Sequence, residues 1–264
     1  ALRMMNQLTA QVYPDGGQIE LCPSYHSGVI NSFLEMGQLM RELERPVPDE
    51  FNQVIENMAR YLVKLSRPDG SIPAFGEVSQ TRTSTGFRSR VDNVAKFIGD
   101  EGDLLWYSTG GLKGTPPDYT STAMDWAGYY VMRTSWEPDA LYMAMKAGPY
   151  GAAHQNEDKL SFELYAYEDL FLVDPGYYVY DYKSPWRRYY ISSLAHNTVV
   201  PDGLTQYRRN ERHLWVNKAP NDAIWISEEG YDFVSGKYDS GYTDFMNFSL
   251  VKSGVHFTII ATTR

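Results

Sequence analysis

Residues 110–117 read Gly110-Gly111-Leu112-Lys113-Gly114-Thr115-Pro116-Pro117, and the chain changes character across them. Glycine and proline at this density continue neither a helix nor a strand ladder, so a break is dictated whatever lies on either side. Before the break, apolar residues recur at spacings of three and four. Val29, Phe33, Met36, Met40 and Leu43 make one stripe, stopped by Pro46 and Pro48. Phe51, Val54, Ile55, Met58, Tyr61, Leu62 and Leu65 make a second, which starts near Asp49 and ends at Arg67-Pro68-Asp69-Gly70. Two such helices joined by a short proline-marked link predict an antiparallel hairpin, the building unit of an (α/α) toroid. A turn at Asp15-Gly16-Gly17 leads into the first helix. Residues 71–90 read as a loop, followed by a short helix over 91–98 and another helical piece near Leu104.

After about residue 120 the apolar residues alternate instead. Strands are predicted at 128–135, 141–146, 160–167, 170–174, 197–200, 214–217, 223–227, 245–252 and 257–262, most of them separated by turn residues. The expectation is an α+β multidomain chain: an α-helical toroid part over 1–117, then an antiparallel β-sheet sandwich domain over 118–264. The last strand has no cap, so the sandwich is expected to be incomplete and the chain to be part of something longer.

Composition narrows the function classes. A formal charge of -9 argues against a nucleic-acid partner, because phosphate neutralisation needs a basic face. One cysteine, Cys22, forbids an intrachain disulfide. No apolar run approaches the roughly 20 residues that cross a bilayer, and residues 1–20 do not read as a signal peptide, so no membrane partner is expected. Aromatic residues reach 14%, with 21 tyrosines, a content that sugar-binding clefts use and that cores and edges use as well. Between Lys183 and Arg212 six basic residues face Asp202 and Glu211, a local excess of four positive charges in an acidic protein. Such a segment would attract a polyanion, with a solvated strand edge as the alternative reading.

Most of the chemistry-bearing residues fall between Gly148 and Gly203. His154, Asp174 and His196 sit at the ends of predicted strands, and zinc takes imidazole and carboxylate ligands, typically three from protein with one further place. Spacing alone does not separate a metal triad from three isolated hydrogen-bonded side chains. The acid pairs Glu157-Asp158 and Glu228-Glu229 do not suggest carboxylate hydrolysis, since neighbours on a strand point to opposite faces. His213 and His256 carry no supporting pattern.

The order His154-x-x-x-Asp158, Leu160-Ser161-Phe162, Val173-Asp174-Pro175-Gly176, Trp186-Arg187-Arg188-Tyr189-Tyr190 and Ala195-His196-Asn197-Thr198-Val199-Val200 resembles the heparinase II/III-like family of polysaccharide lyases. Asp15-Gly16-Gly17, Glu20, Ser24-Tyr25-His26 and the segment Arg67 to Pro73 resemble that family's toroid, so the likeness covers nearly the whole chain. The resemblance implies the end of a toroid joined to the start of a β-sandwich. It also implies β-elimination at a 4-linked uronic acid of an anionic polysaccharide or oligosaccharide. That reaction removes the weakly acidic C5 proton, protonates the departing O4 and needs the neighbouring carboxylate neutralised.

The resemblance assigns His26 and Tyr182 to acid-base work, with Tyr180 nearly as good a candidate as Tyr182 and His154 a further possible acid or base. Tyr25, Tyr180, Arg187, Arg188 and Asn197 are expected to bind substrate, the arginines through bidentate contacts to carboxylate or sulfate. A structural zinc ion is expected at His154, Asp174 and His196, with a periplasmic or secreted location and homo-oligomerisation left open. One departure stands out. Family members carry a toroid tyrosine downstream of the cleft histidine, and Glu77 to Thr83 contains none. Two rival readings follow, a toroid-type glycoside hydrolase and a non-catalytic glycan-binding descendant of a lyase.

Overall fold

In a computed structural model, residues 2–78, 84–208, 216–244, 250–251 and 255–262 are described. The helices are α1 (Leu2–Gln11), α2 (Pro23–Glu42), α3 (Asp49–Leu65), α4 (Ser84–Ile98) and α5 (Asp103–Ser108), with α6 (Pro185–Ile191) far along the chain. Pro23 opens α2, where the missing N–H costs nothing, and Asp49 and Glu50 open α3, where they favour the positive end of the helix dipole. The α3 stripe packs as predicted, with Phe51, Ile55, Met58 and Leu62 meeting Ile30, Phe33 and Leu34 of α2 in one core. Of the stripe predicted for α2 only Phe33 is buried there, and Met36 and Leu43 face solvent. Helix α4 begins earlier than its sequence suggests, because Phe87 joins Val91, Val94 and Ala95 on one buried face and offsets the Ser/Thr-rich start. Among the described residues no helix is long and apolar enough to cross a membrane.

The strands are β1 (Thr122–Met124), β2 (Tyr129–Arg133), β3 (Tyr142–Lys146), β4 (Ser161–Ala166), β5 (Asp169–Leu172), β6 (Leu204–Gln206), β7 (Ile224–Glu228), β8 (Tyr231–Tyr238), β9 (Tyr242–Asp244), β10 (Leu250–Val251) and β11 (Val255–Thr262). β1 to β5 form an antiparallel meander in chain order; β10-β9-β6 and β11-β8-β7 form two three-stranded sheets, and every pairing is antiparallel. The predicted strand at 197–200 is absent: Asn197 and Thr198 spend their side chains on carbonyls of neighbouring segments instead of a ladder. Val216 and Asn217 are not in a strand, and residues 214–215 and 245–249 lie outside the described residues.

In the meander β2 and β3 are buried on both faces, and all of their residues are apolar or shielded, whereas β5 is exposed. Tyr129, Val131, Tyr142 and Ala144 pack onto the helices, whereas Tyr130, Met132, Met143 and Met145 pack with Val234, Tyr238 and Tyr242 of the opposing sheets. This places a sandwich on one side and the helical part on the other. Alternation along the helix-facing side carries polar groups toward one end: Lys146 stands opposite Ser161, and Ala144 opposite Glu163. Backbone carbonyls of the helical part are satisfied by this face, through Tyr129 Oη to Leu21 O and Tyr142 Oη to Leu65 O, both at 2.7 Å. Arg67 donates to Glu163 at 2.5 Å with both groups buried.

Candidate functional site

At the polar end of the helix-facing side the charges are buried but paired. Lys146 Nζ donates to both oxygens of Asp158, at 2.7 and 2.9 Å. His196 Nδ1 lies 2.8 Å from Asp174 Oδ2, its Nε2 donates to Tyr190 O at 2.9 Å, and Asp174 Oδ1 accepts the Gly176 N–H. Burial opposes a charge on His196, but the Asp174 carboxylate prevails and raises its pKa. Burial pushes the Lys146 pKa down against the pull of Asp158. Among the described residues the potential metal ligands that lie within 4.8 Å of one another are Asp158, Asp174 and His196.

An open groove of about 540 Å³ lies between α2 and the loop after β5. Ser24, Tyr25, Gly28, Val29 and Ser32 present one side of α2, and Tyr177 and Tyr180 face them. His154 stands at its edge, on the loop between β3 and β4. Its φ of 58° is left-handed, which strains a non-glycine residue by roughly 1–3 kcal/mol and is the kind of cost that functional positions carry. Three contacts hold it there. Its carbonyl accepts the Glu77 N–H at 2.9 Å, its ring stacks on Tyr25 with centroids 3.5 Å apart, and its Nδ1 lies 2.9 Å from Glu20 Oε2. Gly76 makes this approach possible, since a Cβ there would lie 2.6 Å from the His154 carbonyl oxygen.

The Glu20 carboxylate makes Nδ1 the protonated nitrogen and leaves Nε2 as the basic one. Among the described residues no hydrogen bond engages Nε2. Tyr25 Oη lies 3.1 Å from Tyr180 Oη, which brings a second phenol to the same place. Burial, then the bond to Tyr25, raises the Tyr180 pKa, so this phenol stays protonated at neutral pH.

Several predicted roles change. His26 is not a cleft residue: it is 1% exposed, its Nδ1 accepts the Gln18 N–H and its Nε2 donates to Met58 O, so both nitrogens are spent on structure. Burial lowers its pKa to about 4. His154 is not in the ligand cluster, where Asp158 stands in its place beside Asp174 and His196. Asn197 donates both amide hydrogens to Phe162 O and Val173 O, tying β4 to the loop after β5 rather than facing a sugar. Arg187 is 6% exposed, paired with Glu77 at 2.7 Å and covered by the Tyr180 and Tyr182 rings, so it braces the groove instead of reaching into solvent.

Tyr182, 86% exposed, lines a separate 260 Å³ pocket with Arg187, Arg188 and Gln206, while Tyr180 is the tyrosine that meets Tyr25. The local positive charge is partly consumed: Arg208 is buried and donates to Gly148 O, and Arg209 and Arg212 lie outside the described residues.

Sequence reasoning did not assign roles to Glu20, Glu77, Gln155 or Lys146. Glu20 and Glu77 are set on loops with no periodicity, and each finds its partner across more than a hundred residues of sequence. The positive φ at His154 leaves no mark in its residue type.

Comparison with known proteins agrees with this architecture. A family model described as "Heparinase II/III-like, C-terminal" matches residues 116–248, and one described as "Heparinase II/III N-terminus" matches residues 1–106. A heparin-sulfate lyase of Pedobacter heparinus is 32% identical over 235 residues, 85% of this chain and 35% of that protein. One of Bacteroides stercoris is 31% identical over 202 residues, 75% of this chain and 30% of that protein. The crystal structure of heparan sulfate lyase HepC from Pedobacter heparinus superposes with a TM-score of 0.78 at 24% identity, covering 98% of this chain and 39% of that one. The chain thus spans about a third of the length of the curated relatives it matches. With the C-terminal model alone covering half of it, the chain belongs to the heparinase II/III-like family.

Proposed function

We propose that this chain is part of a polysaccharide lyase that cleaves a uronic-acid-containing, anionic glycosaminoglycan by β-elimination. The observation that carries the reading is the Glu20–His154 dyad on a strained backbone, stacked on Tyr25 at the rim of an open groove. In the reaction, the basic Nε2 of His154 takes the proton from C5 of the uronate. The electron pair forms the C4–C5 double bond as the C4–O4 bond breaks. The Tyr180 hydroxyl, kept protonated by its surroundings, supplies the proton that O4 needs to leave. Glu20 stabilises the imidazolium formed on the way, as a carboxylate behind a catalytic histidine does. Exposed Arg188 fits the attraction of an anionic chain toward the adjoining pocket.

The reading includes a zinc ion held by Asp174 and His196 with Asp158. The donor set suits zinc, and His196 already donates its other nitrogen to a backbone carbonyl, the arrangement that fixes a metal-binding imidazole. Such an ion would tie the loop bearing Tyr177 and Tyr180 to the sheet, a structural role. A periplasmic or secreted location belongs to the same proposal, because a glycosaminoglycan chain does not cross a membrane unaided.

A hydrolase needs two carboxylates free to act across the bond. Here Glu20 is committed to His154 and Glu77 to Arg187. The test is a panel of uronic polysaccharides incubated with the full-length protein and followed for the ultraviolet absorbance of an unsaturated uronate. Appearance on a glycosaminoglycan supports elimination. New reducing ends without that absorbance indicate hydrolysis, and binding without turnover indicates a glycan-binding protein. Metal analysis should find about one zinc per chain, lost in His196→Ala; a zinc-free native protein contradicts the metal assignment.

A further inference from the structure

We propose that Gln155, itself fixed by buried Lys146, is the positioning residue that sets the Glu20–His154 dyad. Glu20 lies on the loop between α1 and α2, and His154 on the loop between β3 and β4, so the dyad joins two loops from different halves of the chain. Both side chains are more than a fifth exposed. A pair so open to water contributes on the order of 1 kcal/mol or less and does not hold two loops in register by itself.

Gln155 supplies what the pair lacks. It is 4% exposed; its Nε2 donates to the Glu20 carbonyl at 2.5 Å, and its Oε1 accepts from Lys146 Nζ at 2.5 Å. Lys146 sits in β3, paired with strands on both sides, and is fully buried. Its three donors are all used, on Gln155 Oε1 and the two oxygens of Asp158. The rigid sheet therefore fixes Lys146, Lys146 fixes the amide, and the amide fixes the backbone from which Glu20 reaches His154. Ala152 N–H to Ile19 O, at 2.9 Å, holds the same two loops one residue before Glu20 and three before Gln155. The geometry demands an acceptor toward the lysine and a donor toward the carbonyl in one side chain. A glutamine satisfies both, whereas glutamate of the same shape would set its negative oxygen against the Glu20 carbonyl.

The kinetic part of the test rests on the lyase reading above, and the spectroscopic part does not. The ¹⁵N signals of the His154 ring are recorded well above the pH range where histidine titrates, in the full chain and in its Gln155→Ala, Gln155→Glu and Glu20→Gln variants. The native protein should show a protonated Nδ1 and an unprotonated Nε2. All three variants should move toward the opposite tautomer, which a free imidazole prefers. Gln155→Glu is nearly isosteric and keeps the test open if Gln155→Ala does not fold. Where the unsaturated product is formed, Gln155→Ala and Glu20→Gln should each lower kcat on the order of tenfold or more with KM little changed, and the double variant should be no worse than the poorer single. Native tautomer in both Gln155 variants, with Glu20→Gln shifted, overturns the positioning role. An unshifted Glu20→Gln overturns the dyad itself, and absence of unsaturated product with the tautomers behaving as stated overturns only the lyase reading.

Discussion

His26 and His154 show how environment divides one residue type between two tasks. His26 has no exposed surface to offer and no free nitrogen, yet it accepts the Gln18 N–H, and Gln18 Oε1 in turn accepts the Glu20 N–H at 3.0 Å. It stiffens the loop that carries Glu20 rather than meeting substrate. Its pKa falls from 6.5 to about 4 because burial disfavours the charged ring. Between those values the unfolded chain binds a proton that the folded chain refuses. The stability that neutral His26 contributes is therefore present above about pH 6.5 and is lost as pH falls toward 4, some 3 kcal/mol in all. Unfolding measured from pH 7 to pH 4 should show this loss, and His26→Gln should flatten the slope; an unchanged slope in the variant contradicts the assignment. The sequence singled out both histidines, but whether a ring is sealed in or left at a rim depends on which segments pack over it. Spacing does not encode that.

Among the elements, the helical stripes and the core strands were legible because burial imposes periodicity: α2, α3, β2, β3 and β4 lie close to where three-four spacing or apolar runs put them. What was not legible is short or polar. Helix α6 carries Trp186, Arg187, Arg188 and Tyr189 with no apolar stripe, and it is held by aromatic contacts and by the Arg187–Glu77 pair. That pair ties α6 to the loop after α3 at a site almost closed to water. Removing one partner of a buried ion pair leaves the other charge stranded and costs about 3–5 kcal/mol. Arg187→Ala and Glu77→Ala should each destabilise the protein by roughly that amount, and the double variant by clearly less than their total. Additive losses in a denaturation series would show that the two side chains do not depend on each other. The charge excess read from 183–212 is partly spent for a related reason, since Arg187 and Arg208 are cations turned inward to neutralise the protein's own acids.

On the scale of the whole molecule, the break at 110–117 separates helices from strands in sequence without separating two cores in space. Tyr129, Val131, Tyr142 and Tyr165 of the meander belong to the same apolar cluster as α2, α3 and α4. The buried bond of Arg67 to Glu163 and the half-buried one from the Ala127 N–H to Asp15 cross the same seam. Heating should therefore produce one transition seen alike by far-ultraviolet circular dichroism and tryptophan fluorescence; two separated transitions would mean the halves fold independently. This shared core makes the groove possible, because Glu20 and Tyr25 approach from the helical side and His154 and Tyr180 from the sheet side. The most direct test of the account compares the full-length protein with its His154→Ala variant on a glycosaminoglycan, followed by the absorbance of unsaturated uronate. The account predicts product from the native protein and a rate lower by about 10²–10⁴ in the variant, with its thermal midpoint little changed. Undiminished elimination by His154→Ala would contradict it.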